Sequence, residues 1–221
     1  MATAKGGLPN GVSQQYAING VDVSVYQRLI DWATVAVSSN VKFAYVKATE
    51  GSTCVDAEFA RNWRALAQQP SIMRGAYHFL HFNTDPAVQA NIFLQTVNPK
   101  KGDLVPMVDV EVTDGLSDVT HLVHVLSTFL THIEQALGGR HILVYTSYGF
   151  WNSKMNGCDA FAGHPLWLAQ YNGDAEPTLP GGWRDWVIWQ HESNGRIDGI
   201  TGDVDLDRIN GDDNTLGALA I

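Results

Sequence analysis

Between residues 18 and 146 the chain alternates short apolar runs with longer helix-like segments, and this alternation most restricts its fold. Strand-like runs cover 18–24, 42–48, 72–79, 104–111 and 141–146. Helix-like segments cover 29–37, 56–69, 86–97 and 117–137, the last stopped by Gly138-Gly139. Alternating βα units predict a parallel sheet with right-handed crossovers. Three further strand-like runs, 166–170, 186–191 and 203–206, are joined only by Gly/Pro/Asp-rich loops. Eight strands suggest closure. The expected fold is α/β, a single barrel of five βα units followed by three loop-connected strands. Residues 1–16 are polar and Gly-rich and are expected to form a flexible arm, with one domain over 17–221.

The run 104–111, LVPMVDVE, is apolar for most of its length and ends in Asp109 and Glu111. A strand has a side-chain period of two, so both carboxylates point to one face. Two rises of about 3.3 Å separate their Cα atoms by roughly 6.6 Å. At that spacing each charge raises the other's proton affinity. In a closed barrel the C-terminal strand ends share one face, where barrel enzymes keep their chemistry. Asp22, near the end of the first run, and Asp205, in the last, fall into the same register. First and last strands are neighbours in such a barrel. Four carboxylates on one face are costly unless function holds them there. Tyr77, Tyr145, Trp167, Tyr171 and Trp189 fall near the same ends. Rings beside acids suit a sugar site, because apolar sugar faces stack on rings while carboxylates handle hydroxyls and protons. For any one of these rings, a core position is the competing reading.

Composition narrows the partners. A net charge of -9 argues against a nucleic-acid phosphate as the main partner and against anionic membrane surfaces. No run of about 18 apolar residues exists, so no membrane insertion is expected. The N-terminus lacks an apolar h-region, so no signal peptide is expected and synthesis in the cytoplasm is. Cys54 and Cys158 fit neither a zinc nor a CxxC redox motif, and the spacing leaves free thiols or one bridge open. His121 and His124 share a helix face, but that helix lies away from the acidic strand ends, so no metal and no cofactor is expected. Gly-x-Ser-x-Gly and phosphate-cradling glycine loops are absent.

Eight short pieces, in order, carry a resemblance. They are Gly20-Val21-Asp22-Val23-Ser24, Lys47-Ala48-Thr49-Glu50-Gly51, Gly75-Ala76-Tyr77-His78-Phe79, Val108-Asp109-Val110-Glu111, Val144-Tyr145-Thr146, Pro165-Leu166-Trp167-Leu168-Ala169, Trp189-Gln190 and Val204-Asp205-Leu206-Asp207. With them the chain resembles the glycoside hydrolase family 25 muramidases over roughly 18–211. The resemblance implies a flattened TIM-like barrel and cleavage of the β-1,4 bond between N-acetylmuramic acid and N-acetylglucosamine in peptidoglycan. It implies Glu111 as catalytic acid and base. Asp109 is implied as nucleophile, water activator or carboxylate steering the substrate's N-acetyl group, with Asp22 and Asp205 completing the cluster. Lys47, Glu50, Tyr77, Tyr145, Trp167 and Gln190 are implied to bind substrate. The chain departs from many members at Cys54, where they carry an aromatic residue. With no signal peptide expected, the resemblance points to a monomeric phage or prophage endolysin reaching the wall through a holin-type lesion; a secreted effector is the alternative. A non-catalytic glycan-binding or virion module on the same fold is the rival function.

Overall fold

The computed structural model describes residues 18–221. The arm expected over 1–16, and the domain's first residue at 17, lie outside the described residues. The strands are β1 (Asn19–Val23), β2 (Val41–Glu50), β3 (Cys54–Val55), β4 (Met73–Phe79), β5 (Met107–Asp109), β6 (Leu143–Ser147), β7 (Leu166–Ala169), β8 (Ile188–Gly195) and β9 (Val204–Ile209). The helices are α1 (Trp32–Ser38), α2 (Phe59–Leu66), α3 (Pro86–Val97), α4 (Val119–Ala136), α5 (Tyr148–Lys154) and α6 (Asp213–Ala218). The sheet runs β1-β9-β8-β7-β6-β5-β4-β2, and pairing of β1 with β2 closes it into an eight-stranded barrel. The short β3 folds back on β2 as an appended hairpin. A helix follows each of the strands β1, β2, β4, β5 and β6, giving the five βα units; β3 interrupts only the second.

The strands of the five βα units pair in parallel as expected, and one of the three later strands runs the other way. β9 is antiparallel to both β8 and β1, while the other barrel pairs are parallel. A parallel return needs a crossover of about a dozen residues or more. The β8–β9 link spans only 196–203, so the chain turns straight back.

Alternation along the strands makes two apolar layers. Phe43, Tyr45, Tyr77, Met107, Leu143, Tyr145, Trp167 and Ile188 point into the barrel. Ala44, Val46, Val108, Val144, Leu166 and Leu168 point outward against helix residues such as Leu126, Phe129 and Trp151. The interior rings dictate glycine next door. Gly20 pairs with Phe43, and Gly75 with Tyr45. A Cβ at Gly20 would lie 2.2 Å from the Phe43 ring, and one at Gly75 2.3 Å from the Tyr45 ring.

The N-terminal barrel mouth is plugged by α6, which no strand or helix pattern of the sequence announces. Leu216 and Leu219 pack into the interior layer, and Leu219 O accepts from Val105 N at 2.8 Å. Asp212 caps this helix through the amides of Asn214 and Thr215.

Candidate active site

The opposite, C-terminal mouth holds a cleft of about 440 Å³. Met107, Asp109 and Glu111 all line it, as the period of two requires, while Val108 and Val110 between them sit in the outer core. Asp22 from β1 and Asp205 from β9 line the same cleft and are directly paired across the β1–β9 ladder. The four acids expected to converge are therefore neighbours in one cavity. Like charges opposite each other in a ladder repel, and burial penalises each charge further. Both effects raise proton affinity. Asp22 and Asp109 are buried and pushed well above the usual carboxylate range, chiefly by burial, then by Asp205 for Asp22 and by Glu111 for Asp109. Half-buried Asp205 is pushed up to about 6 by burial and by Glu111. Glu111 stands exposed at the mouth, and its carboxyl is still raised by removal of surrounding water, with Lys47 pulling the other way.

Around the acids the polar groups form two chains. Tyr145 Oη donates to Gln190 Oε1 at 2.8 Å, Tyr171 Oη donates to the same oxygen, and Gln190 Nε2 donates to Asp22 Oδ2 at 2.5 Å. Two hydroxyls thus fix the amide so that its nitrogen faces the carboxylate. On the other side, Lys47 Nζ donates to Glu50 Oε2 at 2.6 Å and lies 4.7 Å above the Phe79 ring. Glu50 Oε1 is 3.2 Å from His81 Nε2, and His81 Nδ1 is 2.6 Å from Asp114 Oδ1. Of the six expected substrate-binding residues, Lys47, Glu50, Tyr77, Tyr145 and Gln190 line the cleft.

Trp167 does not. It is fully buried beneath the cleft, edge-on to Tyr45 at 4.8 Å and to Tyr145 at 6.0 Å between ring centroids, so it forms the floor rather than a stacking surface. Trp189 also leaves the aromatic group. It packs in the outer layer and donates its indole N–H to Gln170 O at 2.9 Å. Tyr171 remains, half out in solvent. Cys54 is exposed on β3, paired with the cleft residue Glu50 but not itself lining the cleft, and both Cys54 and Cys158 are free thiols. His78 is buried in the outer layer, held by Thr49 Oγ1 at 2.7 Å and Gln89 Oε1 at 3.0 Å. His121 lies on α4 with its ring 3.2 Å from Phe82 O, outside the cleft.

One acid escaped the sequence reading of the cluster. Asp207 is fully buried one strand period below Asp205. Burial and the charges of Asp22 and Asp205 push its carboxyl well above the usual range, while the Trp167 indole pulls it down. Its raised proton affinity favours the neutral form beside Asp22. The period argument applied to Asp109 and Glu111 places Asp207 on the same face as Asp205; it needed only one more step down the strand.

The chain and its barrel have counterparts among known proteins. A model of the glycosyl hydrolases family 25 matches residues 21–200. The uncharacterized protein YegX of Escherichia coli K12 is 37% identical over 204 residues, covering 90% of this chain and 72% of that one. The N,O-diacetylmuramidase of a Chalaropsis species is 32% identical over 85% of this chain and 96% of its own length. The bacterial lysozyme structure from Streptomyces coelicolor superposes with a TM-score of 0.85 at 32% identity, over 92% of this chain and 97% of that one. Matched over most of its length in both sequence and barrel geometry, the chain belongs to glycosyl hydrolase family 25 and is a glycoside hydrolase.

Proposed function

We propose that this protein is a lysozyme that cleaves the β-1,4 bond between N-acetylmuramic acid and N-acetylglucosamine in peptidoglycan, with Glu111 as general acid and then general base. The observation that carries this reading is the contrast between two acids on one strand end: Glu111 reaches the open mouth of the cleft, while Asp109 is buried directly below it. A proton donor must reach the glycosidic oxygen and be protonated near neutral pH. Glu111 reaches the open mouth, and its proton affinity is raised in the direction the second demand requires. As the bond breaks, its proton passes to the leaving oxygen and positive charge grows on the anomeric carbon. Asp109, with Oδ1 buried and unpaired, faces that charge as a nucleophile or by orienting the sugar's 2-acetamido oxygen. Water then returns a proton to Glu111 and completes hydrolysis. Asp22 and Asp205 hold the reacting sugar or the two central carboxyls, and Lys47 limits how far the cluster's proton affinity rises.

The muramidase name of one relative and the lysozyme name of another support the substrate class. No described helix is long and apolar enough to cross a membrane. The setting proposed with this activity is that of an endolysin, a monomer that meets the wall after release through a membrane lesion.

The test is digestion of purified peptidoglycan, then borohydride reduction and mass analysis. New reducing ends on muramic acid are expected. Ends on glucosamine would overturn the bond assignment, and no new ends on several wall types would favour the non-catalytic binding reading. Either role for Asp109 requires that NMR show the β-anomer first; an initial α-anomer would exclude both.

A further inference from the structure

At the barrel end opposite the cleft, three side chains from three elements converge. Glu134 lies in the last turn of α4, His141 two residues before β6 and His164 two residues before β7. Glu134 Oε1 is 3.0 Å from His141 Nδ1 and 3.1 Å from His164 Nε2. The two imidazole centroids are 4.6 Å apart, and the three ligand atoms all lie within 4.8 Å of one another. Four-coordinate zinc, with bonds of about 2.0–2.2 Å, sets its ligand atoms roughly 3.3–3.6 Å apart. The convergence is close to that spacing before any ion pulls on it.

Packing alone accounts poorly for His164. Both its ring nitrogens are buried, and neither makes a hydrogen bond of acceptable geometry, although Glu134 is within ion-pair distance of Nε2. A buried polar atom left unpaired costs about 1–3 kcal/mol. A metal bound to Nε2 supplies the missing partner. The opposite side of the cluster is open: His141 is exposed, and His141 and His164 line a surface cavity of about 770 Å³ that admits water as a fourth ligand.

We propose that Glu134, His141 and His164 form a site for a divalent transition-metal ion of the zinc class. Two imidazoles and one carboxylate suit zinc, copper or nickel, whereas magnesium and calcium prefer oxygen ligands throughout. The ion ties the end of α4 to the starts of β6 and β7. It lies at the stability end of the barrel, so it acts on folding and leaves the hydrolytic cleft alone.

The test uses the full chain, free of any affinity tag and stripped with chelator. Zinc chloride is titrated by calorimetry and in thermal melts, with magnesium chloride as comparison, and cobalt(II) is followed by its visible absorption. One zinc per chain, a zinc-dependent rise in Tm and tetrahedral cobalt bands are expected, with no response to magnesium and no change in hydrolytic rate. His141→Ala removes an exposed ligand without opening the core, so it folds. It should weaken zinc more than roughly tenfold and abolish the cobalt bands. Glu134→Gln should do the same. No zinc response in the wild type, or full binding in His141→Ala, would overturn the site; the latter outcome would assign the ion to the cleft acids.

Discussion

The side-chain nitrogen of Gln190 on β8 donates to Oδ2 of Asp22 on β1 at 2.5 Å, across the intervening strand β9. The amide cannot flip without losing two tyrosine hydroxyls, because both Tyr145 and Tyr171 donate to its carbonyl oxygen. Asp22 is thereby held with one acceptor oxygen committed, beside three other acids that repel it.

This linkage makes Gln190→Leu informative. The variant keeps the volume and removes the donor, leaving Asp22 buried without it and two tyrosines without an acceptor. Turnover should fall on the order of 10²-fold, the cost of a misplaced catalytic group, with the far-ultraviolet spectrum unchanged. Steady-state kinetics on soluble glycan checks this, and wild-type turnover in the variant would remove Gln190 from the machinery.

Lys47 sets a pH limb. Its ammonium lowers the proton affinity of both Asp109 and Glu111. In Lys47→Met that opposing charge is gone, so both groups hold their protons to higher pH. The alkaline limb of kcat/KM, assigned to loss of the Glu111 proton, should move to higher pH. A limb that stays in place or moves to lower pH would contradict the assignment.

Asp207 links the cluster to stability. Its proton affinity is raised on folding, so the folded state keeps a proton that the unfolded chain loses above the ordinary carboxylate range. Stability from this group is therefore largest at low pH and falls as pH rises through the folded value. Asp207→Asn keeps the shape of the side chain and removes the titration. Its Tm at pH 7 should match or exceed the wild type, and its stability should fall less steeply between pH 4 and pH 7. Thermal melts across that range decide; a lower Tm at pH 7 would show that the charge itself is needed.

How far the sequence reveals all this depends on whether the signal is local. The bounds 86–97 of α3 are legible because Asp85 caps the helix and Pro86 occupies its first turn. The face shared by Asp109 and Glu111 is legible because strand period is local. The direction of β9 is not, since it depends on a short link against the closure of the whole barrel. Trp167 has the parity of a cleft residue, yet its depth is set by Tyr45 and Tyr145 on other strands, which alternation along one strand cannot reveal. Helix α6 is short, and its apolar residues make sense only against a barrel mouth that exists after closure. Asp207 was within reach of the period argument, and its raised proton affinity follows only from the surrounding burial and charges.

The central claim is that Glu111 is the proton donor. The most direct measurement compares wild type and Glu111→Gln for release of reducing ends from purified peptidoglycan, with Tm recorded on the same samples. A loss of at least about 10²–10⁴-fold at unchanged Tm is expected, the usual worth of a positioned general acid. Activity within tenfold of wild type in the folded variant would contradict the account and return the proton to another member of the acidic cluster.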